Sequence, residues 1–301
     1  MPLTAYPGLL ADRGAPYLNT SPLMTSGRVW FVHSGGSNNQ AGDDGTRPYA
    51  TLAYALTKVR ANRGDYIIVM PGHTETISTA LAVSTAGVSI IGLGVGYSRP
   101  QFTSSGAIDL VSVTGANCVL ENLRFTGAAS CTALLDIAAA GLTVRNCVFE
   151  HGAAPLNAIT VGADRFQVLD CYFQGIANGP DTAFFFEVGG GTLNYWRVEN
   201  CTFNYLPNGL DKAVFLATAD GPQGGIIKNC DVLGLDAAAL MVDFNSSSSL
   251  GEGMLINTVW QHLAAATIAN GLDLGGFGTA YIGAADGPVR AAELLPATSA
   301  T

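Results

Sequence analysis

Val144-Arg145-Asn146-Cys147-Val148-Phe149, Val168-Leu169-Asp170-Cys171-Tyr172-Phe173 and Val198-Glu199-Asn200-Cys201-Thr202-Phe203 are one six-residue phrase written three times. The phrase recurs, more loosely, at Leu120–Phe125, Ile227–Val232 and Leu255–Trp260. Its centre is always an amide or its acid: Asn122, Asn146, Asp170, Asn200, Asn229 and Asn257. These centres stand 24, 24, 30, 29 and 28 residues apart, and Gly92, 30 residues before Asn122, reads as a further copy. A period of this length marks stacked structural repeats.

Within each copy apolar residues fall at −2, +1 and +3 around the centre. A flat strand keeps a period of two, so the slip at the Asn predicts a corner between two short strands. Asn suits a corner because it tolerates the left-handed backbone conformation and its amide can bond the copies above and below. Glycine at position 92 is expected to meet the same conformational demand. A second apolar run precedes each corner, at Ala107–Leu110, Ala133–Ile137, Ala158–Val161, Ala183–Phe186, Ala213–Leu216 and Ala239–Val242. About three short strands per period, with no helical pattern between them, predict an all-β parallel solenoid.

Composition agrees with a packed domain. Of 301 residues 48% are apolar, 12% are charged and 37 are glycine, which disfavours disorder and coiled coil. The formal charge is −9 and there are three lysines, Lys58, Lys212 and Lys228, so no basic stripe is available for phosphates and no nucleic-acid partner is expected. No uninterrupted apolar run is long enough for a helical membrane span, and Met1 to Gly14 lacks a basic start and apolar core. The expectation is a chain that neither binds membrane nor follows the usual export route. Six cysteines occur without a Cys-x-x-Cys pair, which argues against a zinc knuckle or a dithiol redox site.

Pro48 to Val59 places Leu52, Leu56 and Val59 on one helical face. Coming just before the first coil, it is expected to be a helix that caps the apolar end of the solenoid. Pro2, Pro7, Pro16 and Pro22 favour an extended path for residues 1–27. That segment reads either as an arm or as a frayed terminus. The same pair of readings applies to 284–301.

The run Asp44 to Leu56, followed by Gly64 to Val69 and the Asn-centred coils, resembles the right-handed parallel β-helix, or pectin-lyase-like, superfamily over about residues 28–283. Gly64 to Ile77 is more narrowly similar to tailed-phage and prophage β-helix proteins, specifically the tail-spike-like capsid cementing proteins. The resemblance implies a single-stranded right-handed β-helix of about eight coils. Its organisation would be an arm over 1–27, a cap with its helix over 28–63, the β-helix over 64–283 and a tail over 284–301. It further implies a non-enzymatic virion protein on the outer surface of a phage head. Its partners would be the major capsid protein and, in a homotrimer, itself. The rival expectation is a tail spike or host-attachment β-helix that binds or cleaves host surface polysaccharide.

That rival requires catalytic or binding side chains on the outer face. Asp109 and Asp136 lie in adjacent coils at different strand positions, and no calcium cluster is expected from them. Glu187 and Asp243 each follow the alanine of their strand by four residues, two coils apart, or about 9.6 Å. That is close to the roughly 5–9.5 Å between paired glycosidase carboxyls. They are the weak catalytic alternative, and solvated surface is the preferred reading. Glu121, Arg145, Glu199 and Lys228 form a mixed-sign outer row. Cys147, Cys171, Cys201 and Cys230 share the +1 site and should stack inward as free thiols, beside an aromatic file of Phe125, Phe149, Phe173 and Phe203. His33, His73, His151 and His262 show no ligand spacing, and Gly92 to Gly96 leads into no helix that would hold a pyrophosphate. Neither a cofactor nor a metal is expected. The longer loops 174–182, 204–212 and 245–253 are candidate contact surfaces or plain tolerated insertions.

Overall fold

The computed structural model describes residues 27–127, 131–151, 157–176, 182–186, 193–205, 213–217, 222–235, 240–243, 251–262, 269–270, 272–277, 280–283 and 287–290. They form an all-β parallel solenoid with almost no helix. Most turns of chain contribute one strand to each of three sheets. The first sheet holds ten strands, from Val29–Val32 and Tyr66–Val69 through Val119–Glu121, Thr143–Arg145 and Gln167–Leu169 to Leu272–Phe277. The Asn corner leads from it into the second, also of ten strands, which includes Gln101–Ser104, Arg124–Thr126, Val148–His151 and Tyr172–Gly175. The third has eight strands, among them Asp109–Val113, Ala133–Ile137, Asn157–Val161 and Thr182–Phe186.

Register explains why the phrase repeats. Val144 pairs with Leu120 below and Val168 above, and Phe149 with Phe125 and Phe173, so equal positions of successive phrases lie directly over one another. Parallel strands about 4.8 Å apart then place like side chains in contact. Phe125, Phe149, Phe173 and Phe203 form a column with centroids 5.3, 4.8 and 4.6 Å apart, which Phe102 extends at 6.2 Å. All five rings are buried. Each such contact adds about 0.5–1.5 kcal/mol beyond the area it buries.

Two finer expectations do not stand. The coil count of about eight gives way to sheets of ten, eight and ten strands. One reason is that the region assigned to a cap supplies a strand of its own: Val29–Val32 pairs in full register with Tyr66–Val69. The helix expected over 48–59 shrinks to Leu52–Leu56. Thr51 caps its start, and only Leu52 and Ala55 are buried along it. Its neighbours Tyr49 and Val32 form a β-bridge, so strand-like pairing reaches to within three residues of the helix and leaves no length for a lid.

Asp65 locks this end. Its buried carboxylate accepts from the Arg28 amide at 2.8 Å, the Arg60 amide at 2.9 Å and Arg63 Nε at 2.6 Å, joining the first strand, the connection after the helix and the second strand. Burial alone would push this carboxyl up, but the Arg63 guanidinium and the two amides hold it below its ordinary value.

At the other end Gly287–Arg290 pairs antiparallel with Ala280–Gly283, so strand pairing continues past the expected boundary at 283. The arm over 1–27, apart from Gly27, lies outside the described residues, as do most of the three long loops.

Candidate functional site

The corner residues Asn122, Asn146, Asp170, Asn200, Asn229 and Asn257 all have left-handed φ between 46° and 56°. Their side chains are joined in one direction. Asn257 Nδ2 donates to Asn229 Oδ1 at 2.9 Å, Asn229 to Asn200 at 3.1 Å and Asn200 to Asp170 at 3.0 Å. Asn146 donates to Asn122 at 3.1 Å, and Asn122 Nδ2 ends the series on the carbonyls of Gly92 and Gly94, at 2.8 and 2.9 Å. The step from Asp170 to Asn146 is missing because a carboxylate has no N–H to donate. Asn146 Oδ1 accepts instead from Arg99 Nη2 at 3.3 Å.

Gly92 does not occupy the left-handed region; it ends the strand Ser89–Gly92. Glycine is required there by close approach, since a Cβ would come within 2.2 Å of the Asn122 carbonyl oxygen. The left-handed turn of this coil is displaced to Gly94 and Gly96. A second left-handed column, absent from the sequence reading, precedes the first by five residues at Asn117, Gly141, Arg165, Tyr195 and Gly224. It is stitched by backbone bonds such as Asn117 N to Ala140 O at 3.0 Å and Arg165 N to Asn194 O at 3.0 Å.

Cys147, Cys171, Cys201 and Cys230 are free thiols stacked inside the corner, all buried. The Cys147 amide donates to Cys171 Sγ at 3.4 Å, and each thiol reaches the carbonyl two residues before it. Burial pushes the Cys147, Cys171 and Cys201 thiols well up, which makes them poor nucleophiles and poor ligands. Among the described residues no group of three or more His, Cys, Asp or Glu side chains is arranged to hold a metal.

Asp243 pairs with Leu216, and Leu216 with Phe185, so Phe185 stands two rungs below Asp243. Ala213 between them pairs with Leu240 on one side and Thr182 on the other, not with an alanine. Glu187 and the Asp243 side chain lie outside what the structure describes. Elsewhere carboxylates hold rungs together. Glu121 takes Arg145 at 2.7 Å, Asp136 takes the Ser112 hydroxyl at 2.8 Å, and Glu75 takes the Leu52 amide at 2.9 Å and His73 at 3.2 Å. Burial raises the Asp109 carboxyl, and the neighbouring Asp136 adds to the rise. His151, also buried, meets the Tyr205 hydroxyl at 2.9 Å.

Among the described residues a concavity lies beside the ladder. The connection from Leu93 to Arg99 leaves the sheet and projects over the outer face of the second sheet. Between them lies a groove of about 330 Å³ lined by Gly96, Tyr97, Arg99, Arg124, Val148, Glu150, Tyr172 and Gln174. Asn122 grips the start of this loop, and Ser98 Oγ closes it on the Val95 amide and carbonyl at 2.9 and 2.8 Å. Val95 and Tyr97 are nevertheless 81% and 98% exposed. On the groove floor Glu150 takes Arg124 in a two-point pair at 2.6 and 3.0 Å and Thr126 Oγ1 at 3.0 Å. The sequence carries a sign of this loop: the step from Gly92 to Asn122 is 30 residues, against 24 for the next two.

No protein-family model matches this chain, and no curated protein does. Among solved structures it is similar to pectate lyase Pel9A, with a TM-score of 0.65 and 13% identity over 84% of this chain and 68% of that one. A pectin methylesterase from Aspergillus niger gives a TM-score of 0.50 and 14% identity, covering 84% of this chain and 86% of that one. ORF18 of Geobacillus virus E2 gives 0.49 and 12%, covering 83% and 60%. The fold is thus a pectate-lyase-like right-handed parallel β-helix, a scaffold on which function is set by the site and not by the coil.

Proposed function

We propose that this chain is a structural virion protein of a tailed phage, a homotrimer that decorates the outside of the head and reinforces it through the major capsid protein. The observation that carries this reading is the use to which the described carboxylates are put. Asp65, Glu75, Glu121, Glu150 and Asp170 each accept from a neighbouring rung or segment. Acid–base catalysis needs carboxyls turned toward a substrate with tuned proton affinity; these are spent on stiffening a rod. The resemblance of Gly64 to Ile77 to phage cementing proteins supports a location on the phage head. Many weak contacts with a repeating shell add up to firm attachment.

Gold-labelled antibody against this chain, imaged on native particles, is expected to decorate heads, and purified heads stripped of the protein are expected to rebind it and regain resistance to heat. Label confined to tails, or release of reducing ends from host glycans by the purified chain, would overturn the reading in favour of a tail spike.

A further inference from the structure

We infer that the groove beneath the 93–99 loop is a docking site for a side-chain carboxylate, presented beside an apolar residue on a partner protein segment. The inference rests on the reading above, with the capsid subunit as that partner. Arg99 Nη2 is held by Asn146 Oδ1, but Arg99 Nε is buried and has no acceptor among the described residues. Leaving a buried guanidinium donor unmet costs about 1–3 kcal/mol, more for a charged group, so the arrangement is better satisfied with an acceptor in the groove. The two-point pair with Arg124 offsets Glu150, which leaves Arg99 as the net positive charge of the lining in a chain of net charge −9.

The rest of the lining selects among anions. A saccharide acid presents many hydroxyls and needs many open partners. Here both Glu150 oxygens are engaged by Arg124 and Thr126, and the Tyr172 hydroxyl accepts from Asn204 Nδ2 at 2.9 Å. What stays open is little: the Arg99 donor, the Gln174 amide and the Tyr172 O–H, beside the exposed Tyr97. Exposed tyrosine and arginine on a pre-ordered loop are the side chains that dominate protein interfaces. The ladder explains why the donor is there: Asp170 breaks the amide chain, Asn146 turns to Arg99, and Arg99 is fixed at the groove wall.

The full-length chain, labelled with 15N, is titrated with three probes while the Arg99 Nε–H resonance is followed. The probes are the acetylated, amidated tripeptide Leu-Glu-Leu, the same peptide with Gln for Glu, and trigalacturonate. The Glu peptide is expected to shift the resonance saturably, at least tenfold more tightly than either other probe, and to lose at least tenfold on Tyr97→Ser. Arg99→Gln, followed through the Tyr97 amide, is expected to abolish the preference for Glu over Gln. Tighter binding of trigalacturonate would make the groove a glycan site, and no shift with any probe would end the proposal. Self-association that Arg99→Gln removes would assign the groove to a second copy and overturn the capsid partner. Heads that bind Arg99→Gln as well as the parent protein would sink the docking site but leave decoration standing. Heads that bind neither, with peptide binding intact, would sink decoration alone.

Discussion

Asn200 donates its side-chain amide to Asp170 Oδ1 at 3.0 Å, and there the ladder stops, because Asp170 has nothing to pass on to Asn146. Asp170→Asn supplies the missing Nδ2 at a backbone site that already suits Asn, with φ at 55°. The change should complete the run from Asn257 to Asn122 and stabilise the fold by about 1 kcal/mol, read as a higher urea midpoint with an unchanged m-value. Asp170→Ala should do the reverse by about 1–2 kcal/mol, since alanine is strained in the left-handed region.

The second left-handed column contains two residues with no preference for it, Arg165 at φ 56° and Tyr195 at φ 58°. Tyr195 is 75% exposed, so little packing is lost on truncation. Tyr195→Gly should therefore stabilise by up to about 1 kcal/mol, whereas Tyr195→Val should destabilise. Thermal unfolding of the pair, compared with the parent chain, checks both signs.

These two columns show what the sequence makes legible. The corner at Asn122, Asn146 and Asn200 can be read because its side chains take part in the structure, so amides recur there with Phe at +3 and, after Asn146 and Asn200, Cys at +1. The column through Asn117, Gly141, Arg165, Tyr195 and Gly224 is held by backbone bonds, so Arg and Tyr stand in it among Asn and Gly and the pattern is blurred. The third-sheet strands illustrate a different limit. The alanines Ala183, Ala213 and Ala239 look equivalent in sequence, yet the register pairs Ala213 with Thr182 and Leu240. The groove is the hardest case. It depends on where a loop folds back over the second sheet, and only the longer spacing from Gly92 to Asn122 betrays it.

Asp65 makes stability depend on pH in a direction that can be worked out. Its folded carboxyl titrates below the ordinary value of 3.8. Its contribution is therefore complete above that value and is lost as pH falls through the lower folded one. Asp65→Asn leaves Arg63 beside a neutral amide and should cost about 3 kcal/mol at pH 7. Urea titrations at pH 7, 4 and 2.5 should show the gap between parent and variant closing only toward the lowest pH. A gap that stayed constant would mean the carboxylate is not what joins the three segments.

The stacked thiols give the last outcome. Six free cysteines would react within minutes with a disulfide reagent if exposed, but Cys118, Cys131, Cys147, Cys171, Cys201 and Cys230 are all buried. Burial raises the pKa of Cys118, Cys131, Cys147, Cys171 and Cys201, so their thiolate fraction at pH 8 is small as well as shielded. Labelling of the native chain should thus be limited by unfolding, with the +1 thiols appearing together, since the coils that stack them open together. Cys171→Ala removes one member of the file and leaves a small cavity, and should accelerate labelling of the remaining three in proportion to the lost stability. Fast labelling of Cys201 alone in the parent chain would show instead that the corner opens coil by coil.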